Sequence, residues 1–306
     1  MVSSDFGFEI INVDELSLQE ERFLPSELLA YARDENESSF VRDIEEHLTL
    51  VYQLLDTQGH VDDVRHVPRV IPVTLFLKED GLFVLANHKN INLVKKALNR
   101  VEKVDSPKHL LLSLVTVFSK QYFDVLDTIS EERDKLINDL RKRPNKSNLA
   151  RLANLQSGTV HLMMGTKQNF EMLTDLQNIE QDKENTRNEK IQLQDAIIEA
   201  RQLSNMCSLN SQVFQELSSS YNNVLSNNLN DNVTTLTIIS IGISIIAMVT
   251  SFYGMNVKLP FDSVDAVWVL INLITTIITI MLSIVMYIYA IKRIIIPNIN
   301  RELIRG

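Results

Sequence analysis

Two long uncharged stretches near the C-terminus constrain this chain more than any other feature. Residues 233–252 contain no charged side chain, and neither do residues 266–291. A helix of about 20 apolar residues spans a hydrocarbon core about 30 Å thick, so each stretch is long enough to cross a bilayer. The alternative, two core helices of a soluble protein, is disfavoured because both stretches are long and free of charge. The sequence therefore predicts a transmembrane hairpin with a short connection.

The distribution of basic residues predicts the orientation of this hairpin. The loop between the two stretches contains a single basic residue, Lys258, whereas several follow the second stretch. Cytoplasmic flanks of membrane helices are enriched in Lys and Arg, so the C-terminus is expected in the cytosol, and with two spans the N-terminal part as well. We expect a multi-pass plasma-membrane protein with both termini cytoplasmic. The basic residues after the second stretch are Lys292, Arg293, Arg301 and Arg305.

The residues before the hairpin predict an α+β cytosolic domain followed by long helices. Residues 70–77 and 82–86 have the composition of strands, with a turn between them. Apolar residues spaced three and four apart predict helices over 27–32, 40–55 and 94–101. The segments expected along the chain are an α/β domain (1–105), a long antiparallel helical hairpin (106–188), a stalk helix (189–232), the first span (233–252), a filter and outer loop (253–265), the second span (266–291) and a basic tail (292–306).

Composition excludes several classes of function. The 306-residue chain has a net charge of −9, which disfavours nucleic-acid binding because that requires clustered Lys and Arg. An acidic domain suits metal cations, although a solvated acidic surface is the commoner cause of such a balance. One cysteine, Cys207, allows no intrachain disulfide. The six histidines lack metal-ligand spacing, and no nucleophile-elbow or phosphate-loop motif occurs, so an enzyme is not expected.

The first uncharged stretch has a polar side that could carry ions. Small and hydroxyl residues recur there at steps of three and four, which places them on one stripe of a helix. The stripe could face the axis of a ring of helices and form a narrow wet path. Alternatively, small residues could let membrane helices approach closely while the hydroxyls bond their own backbone. The stripe consists of Thr237, Ser240, Ser244, Ala247 and Ser251, and Asn223, Asn227 and Asn230 extend it toward the cytosol.

The distribution of charge along the same segment favours the interpretation of the stripe as an ion path. Between Arg201 and Lys258 there is no basic residue, while Glu216 and Asp231 are present. A cation that moves along this segment meets no fixed positive charge.

The sharpest motif is Tyr253-Gly254-Met255-Asn256 at the end of the first stretch. It resembles the signature of the CorA family of magnesium channels, in which Gly-Met-Asn closes the first of two C-terminal spans. The match extends from about Ser106 onward. The resemblance implies a funnel-shaped homopentamer in the lipid bilayer that takes up Mg²⁺, with Co²⁺ or Ni²⁺ as secondary ions. A ring of neutral carbonyl oxygens can hold a hydrated Mg²⁺ through its water shell.

The resemblance also implies roles for individual residues. Gly254, Met255 and Asn256 would form the selectivity filter, and Asn230 would form a polar ring at the cytosolic end of the pore. Asp195, assisted by Glu199, would bind regulatory Mg²⁺ that holds the ring closed.

The chain departs from the family pattern in three places. Ile245 or Ile246 stands where a mid-span proline is common. The outer loop lacks the usual glutamate, and Asp262 and Asp265 could supply its charge. The second regulatory carboxylate has no clear match, and the candidates are Asp34 and Glu35.

Two alternatives stay open on the sequence. The first is a Zn²⁺ transporter of the same superfamily, in which proton coupling is one option. The second is a membrane-anchored coiled-coil or sensor protein that transports nothing. That protein would need neither a polar stripe on a common axis nor Asn256 at the mouth.

Overall fold

The computed structural model describes residues 6–17, 20–45, 47–57, 67–102, 104–142, 145–181, 186–255 and 267–303. The chain divides into two compact units, Met1–Ser219 and Ser220–Gly306, which are described separately below.

The first unit begins with a five-stranded mixed sheet in the order β1-β5-β4-β3-β2. β1 is parallel to β5, and the other neighbouring pairs are antiparallel. β4 and β5 occupy the two stretches that the sequence predicted as strands, and the backbone N–H of Lys78 donates to the carbonyl of Gly81 (2.9 Å) to close the turn between them. The strands are β1 (Gly7–Asn12), β2 (Phe40–Ile44), β3 (His47–Leu55), β4 (Val70–Leu77) and β5 (Gly81–Ala86).

The helix predicted over residues 40–55 is wrong, because this stretch forms β2 and β3. Glu45, between the two strands, has a positive φ of 52°, a conformation that ends a strand and reverses the chain. Every residue of β3 after His47 is buried. A strand buried on both faces has no alternation of apolar and polar residues, so its apolar spacing resembled that of a helix.

Three short helical elements and four long helices complete the element order. α1 contributes Leu28 and Leu29 to a small core on one face of the sheet, against Phe76 and Leu85. The main core lies on the opposite face, where α2 to α5 cover the strands. The helices are α1 (Ser26–Arg33), α2 (Ile91–Leu98), α3 (Pro107–Lys142), α4 (Lys146–Ile179), α5 (Arg187–Tyr253) and α6 (Val267–Leu303), and a 3₁₀ turn spans Glu20–Phe23.

The predicted long helical hairpin is confirmed by ion pairs at both of its ends. Lys108 near the start of α3 pairs with Glu180 just after the end of α4. Near the other end, Arg151 of α4 pairs with Glu132 and lies 3.5 Å from Asp139, both on α3. The two helices are therefore antiparallel over their full lengths.

α5 is one continuous helix of 67 residues. It begins with a capping box, in which the hydroxyl of Thr186 accepts from the N–H of Glu189 (3.3 Å) and the Glu189 carboxylate accepts from the N–H of Thr186 (3.1 Å). Glu189 also accepts a 2.7 Å hydrogen bond from the hydroxyl of Ser106, which itself caps α3. The starts of α3 and α5 are thereby joined.

The second unit consists of the C-terminal part of α5 and of α6. Among the described residues, one helix, Arg187–Phe252, is long and apolar enough to cross a membrane, and 11% of its most apolar window is buried within the chain. A core helix of a soluble protein would be mostly buried. The described apolar part of α6 is shorter, Val269–Val285, so the second span stays a prediction.

Candidate functional site

The polar stripe lies on the side of α5 that faces away from α6. Its residues Asn230, Thr237, Ser240, Ser244, Ala247 and Ser251 are all exposed. The side of α5 that meets α6 contains Gly242, which is buried, and Ile238, which is 9% exposed. At about 100° per residue, the stripe positions fall roughly opposite Gly242 on the helix. Packing within this hairpin therefore does not account for the stripe.

Three stripe hydroxyls donate to backbone carbonyls one turn earlier in the same helix. The bonds join Thr237 to Val233 (2.8 Å), Ser240 to Leu236 (2.8 Å) and Ser244 to Ser240 (2.7 Å). A hydroxyl has one proton and two lone pairs, so each oxygen keeps acceptor capacity after its proton is used. The backbone bonding anticipated in one of the two interpretations is present, and it leaves the outer surface of the stripe with acceptors.

The Gly-Met-Asn motif begins where α5 ends. The N–H of Gly254 donates to the carbonyl of Thr250 (3.0 Å), and Gly254 and Met255 lie exposed in the turn after Tyr253. Asn256 lies outside the described residues, as do Asp262 and Asp265 of the outer loop. The roles assigned to these residues therefore stay predictions.

Asp195 and Glu199 occupy different environments although they are one helical turn apart. Asp195 is exposed, whereas Glu199 is half-buried and its Oε2 atom is buried without a hydrogen-bond partner among the described residues. Burial raises the pKa of Glu199, the positive charge of Lys120 opposes this, and the charge of Asp195 adds to it. Among the described residues, no group of three or more His, Cys, Asp or Glu side chains is placed to hold a metal. Asp195 is thus the more accessible of the two carboxylates.

The candidates for a second regulatory carboxylate make local contacts. The Oδ1 atom of Asp34 accepts from the N–H of Asn36 (2.8 Å), and Glu35 forms an ion pair with Lys89 (2.5 Å). Their role in a metal site stays a prediction.

Sequence reasoning missed a row of hydroxyls on α6. Thr275, Thr279 and Ser283 are spaced four residues apart, and these are the less exposed hydroxyl residues of the described part of α6. This spacing is visible in the sequence and is the signal that could have identified the side of α6 that meets α5.

The fold and the site together define a class of protein. An α+β unit, a long helical hairpin and a continuous helix that ends as an apolar, hydroxyl-striped span are features of an integral membrane transporter with a large extramembrane domain. The chain belongs to the CorA-like Mg²⁺ transporter protein family, whose model matches residues 12–293. It is accordingly a divalent-cation transporter by class, and members of this family are transporters rather than enzymes.

Solved structures share this fold. The complete CorA magnesium transporter from Methanocaldococcus jannaschii matches with a TM-score of 0.70 and 16% identity, over 89% of this chain and 87% of that one. The ZntB cytoplasmic domain from Vibrio parahaemolyticus matches with a TM-score of 0.54 and 12% identity, over 70% of this chain and 86% of that one. No match is found among the curated proteins. The predicted α+β, CorA-like fold is confirmed.

Proposed function

We propose that this protein is a homopentameric channel that admits Mg²⁺ to the cytosol across the plasma membrane, down its electrochemical gradient. The observation that carries the proposal is the stripe on α5, which is exposed and faces away from α6, and in which three hydroxyls donate their protons to the helix backbone.

An acceptor surface suits a hydrated cation. Mg²⁺ gives up its water reluctantly, and the waters around it direct their hydrogens outward. Oxygen atoms whose own protons are used elsewhere can accept those hydrogens. The absence of Lys and Arg between Arg201 and Lys258 leaves such an ion without a fixed positive charge to pass.

The spacing of the stripe supports assembly about a common axis. Asn223, Asn230, Thr237, Ser244 and Ser251 follow one another at intervals of seven residues. A seven-residue repeat stays on one face only when helices wind around each other with a left-handed supercoil. The five-fold number itself rests on the family resemblance.

The filter and the regulatory site complete the proposal. Gly254, Met255 and Asn256 from each subunit would form the outer selectivity filter, with Asp262 and Asp265 attracting cations to it. Asp195 would bind regulatory Mg²⁺ between subunits and keep the channel closed when cytosolic Mg²⁺ is high. One oxygen of Glu199 is buried, so this carboxylate would contribute mainly through its negative charge and not by binding the ion directly.

Zn²⁺ is the second candidate ion. A Zn²⁺ transporter of the same superfamily is the alternative that the sequence leaves open. The intact Met255 and Asn256 favour Mg²⁺.

Uptake into proteoliposomes under an inside-negative potential tests the proposal. Wild type is expected to take up Mg²⁺ saturably, and Asn256→Ala is expected to abolish uptake or its selectivity. Thr237→Val removes a stripe hydroxyl and should reduce uptake. Thr250→Val is the matched control, because Thr250 makes the same type of backbone bond off the stripe. Uptake of Zn²⁺ without Mg²⁺ would support the second candidate, and folded protein that carries neither ion would refute transport.

A further inference from the structure

α5 and α6 meet at Gly242. This glycine is buried, and a Cβ atom at its position would lie 3.3 Å from the Oγ of Ser283 and 3.5 Å from the Cγ2 of Thr279. A hydrogen in place of a side chain lets the two helices approach, as small residues do in membrane helix pairs.

The contact is formed by packing rather than by hydrogen bonding. Thr279 is 4% exposed, and its Oγ1 has no hydrogen-bond partner among the described residues. Its neighbour Thr275 instead donates to the carbonyl of Ile271 (2.8 Å), as the stripe hydroxyls of α5 do one turn back. Among the described residues, Thr279 therefore contributes to the contact with Gly242 through its shape and not through a hydrogen bond of its hydroxyl.

The position of Gly242 fixes the direction of the polar stripe. Gly242 and the stripe residues Ser240 and Ser244 lie on roughly opposite sides of α5 at about 100° per residue. If Gly242 faces α6, the stripe must face away from α6. A rotation of α5 by half a turn would place the stripe against α6 and apolar side chains along the proposed path.

We propose that Gly242, packed against Thr279 and Ser283, is a positioning residue that fixes the rotation of α5 and so directs the stripe toward the conduction path. This inference rests on the proposed channel function. Gly242 itself never lines the path, and its effect is transmitted through the orientation of Ser240 and Ser244.

The misdirection of the stripe should increase with the size of the residue at position 242. An alanine Cβ needs a shift of a few tenths of an ångström, which the Ser283 hydroxyl can provide by rotation. Leucine adds three further carbon atoms in the same direction and cannot be accommodated without separation or rotation of the helices. We therefore expect Gly242→Ala to resemble wild type and Gly242→Leu to misdirect the stripe.

Thiol accessibility in the full-length protein tests this directly. Cysteines are introduced singly at Ser244, on the stripe, and at Ile239, an exposed lateral position, and reacted with a membrane-impermeant cationic thiol reagent. The single native cysteine, Cys207, is fully buried and serves as the unreactive background. With Gly242 present, Ser244→Cys should react several-fold faster than Ile239→Cys, and the reaction should block uptake. With Gly242→Leu, this difference should disappear and uptake should fall several-fold.

Rescue and isosteric variants separate positioning from loss of folding. Gly242→Ser combined with Ser283→Gly exchanges the volumes across the contact and should restore the accessibility difference. Thr279→Val keeps the shape and removes only the unpaired hydroxyl, so it should leave accessibility unchanged. The inference is overturned if Gly242→Leu keeps the wild-type accessibility difference, or if Gly242→Ala and Gly242→Leu behave alike. Wild-type protein that carries no ion would refute the channel function, whereas normal wild-type transport with an unaffected Gly242→Leu variant would refute this inference alone.

Discussion

The side-chain amide of Asn169 forms hydrogen bonds with both the backbone N–H and the backbone carbonyl of Gln53, at 2.9 and 3.0 Å. β2 pairs with β3 only as far as Phe40 opposite Val51, so none of the described strands reaches Gln53 on that side. The side-chain amide of Asn169, on α4, therefore makes the two backbone hydrogen bonds that a neighbouring strand would otherwise make. The hydroxyl of Tyr122 donates to the same carbonyl (2.9 Å), which joins α3, α4 and β3 at one buried point.

Asn169→Leu is expected to lower the free energy of unfolding by about 2–4 kcal/mol. It leaves the buried N–H of Gln53 without its partner, and it also removes the bond to the carbonyl of Gln53 and the bond that Asn169 accepts from the hydroxyl of Ser39 (2.8 Å). Thermal denaturation of the full-length protein in detergent, followed by circular dichroism, measures the loss. Asn178→Ala, at an exposed position near the end of the same helix, is the control and should change little. An equal effect of the two variants would contradict the role of the amide.

Gly158→Ala should destabilise the protein although alanine is normally the better helix residue by about 1 kcal/mol. A Cβ at position 158 would overlap the Cβ of Val67, the root of that side chain, so the clash cannot be relieved by side-chain rotation. We expect a net loss of about 1–3 kcal/mol, as is typical of overpacking.

Two variants check this explanation. Gly165→Ala should cost less, because its Cβ would lie 2.9 Å from the Cγ1 of Val70, at the movable end of the side chain. In a Val67→Gly background, Gly158→Ala should become stabilising. A penalty that persists in that background would mean that the overlap with Val67 is not its cause.

Glu189 should make the protein sensitive to acid. Burial raises the pKa of Glu189, but hydrogen bonds from Ser106 and Thr186 and the charge of Lys108 outweigh this and lower it below its usual value of 4.5. A depressed pKa contributes stability above the unfolded pKa and loses it as the pH falls through the folded pKa. Glu189→Gln should therefore show a smaller loss of thermal stability between about pH 5 and pH 3 than wild type. An equal loss of thermal stability with falling pH in the two proteins would contradict this role of Glu189.

Glu199→Gln should change the pH dependence of thermal stability in the opposite direction to Glu189→Gln. Because burial raises the pKa of Glu199, the ionised form is disfavoured in the folded state, and the associated stability is lost as the pH rises through the unfolded and then the folded pKa. The glutamine variant should melt at a higher temperature than wild type at pH 7, and the difference should shrink below pH 4.5, the usual pKa. Asp175→Asn, at an exposed carboxylate on α4, is the control and should show no such gain.

Sequence reasoning located most elements of the fold because their signals are local. The strands at β4 and β5 are bounded by turn residues, and the helical hairpin is marked by apolar residues three and four apart. It failed over residues 40–55, where a strand buried on both faces shows no alternation. Burial on two faces depends on what the rest of the chain places there, so no local pattern reveals it.

The sequence by itself determined that α5 ends as an uncharged span with a polar stripe and a Gly-Met-Asn motif, because composition and periodicity require no knowledge of neighbours. Only the tertiary structure decided which side of α5 meets α6, since Gly242 faces Thr279 and Ser283 and the stripe faces away. It also decided that Glu199 is partly buried while Asp195 is exposed. The two carboxylates differ because positions four residues apart are offset by about 40° on a helix. Glu199 lies nearer the side of α5 that contributes Ala196 and Ala200 to the main core.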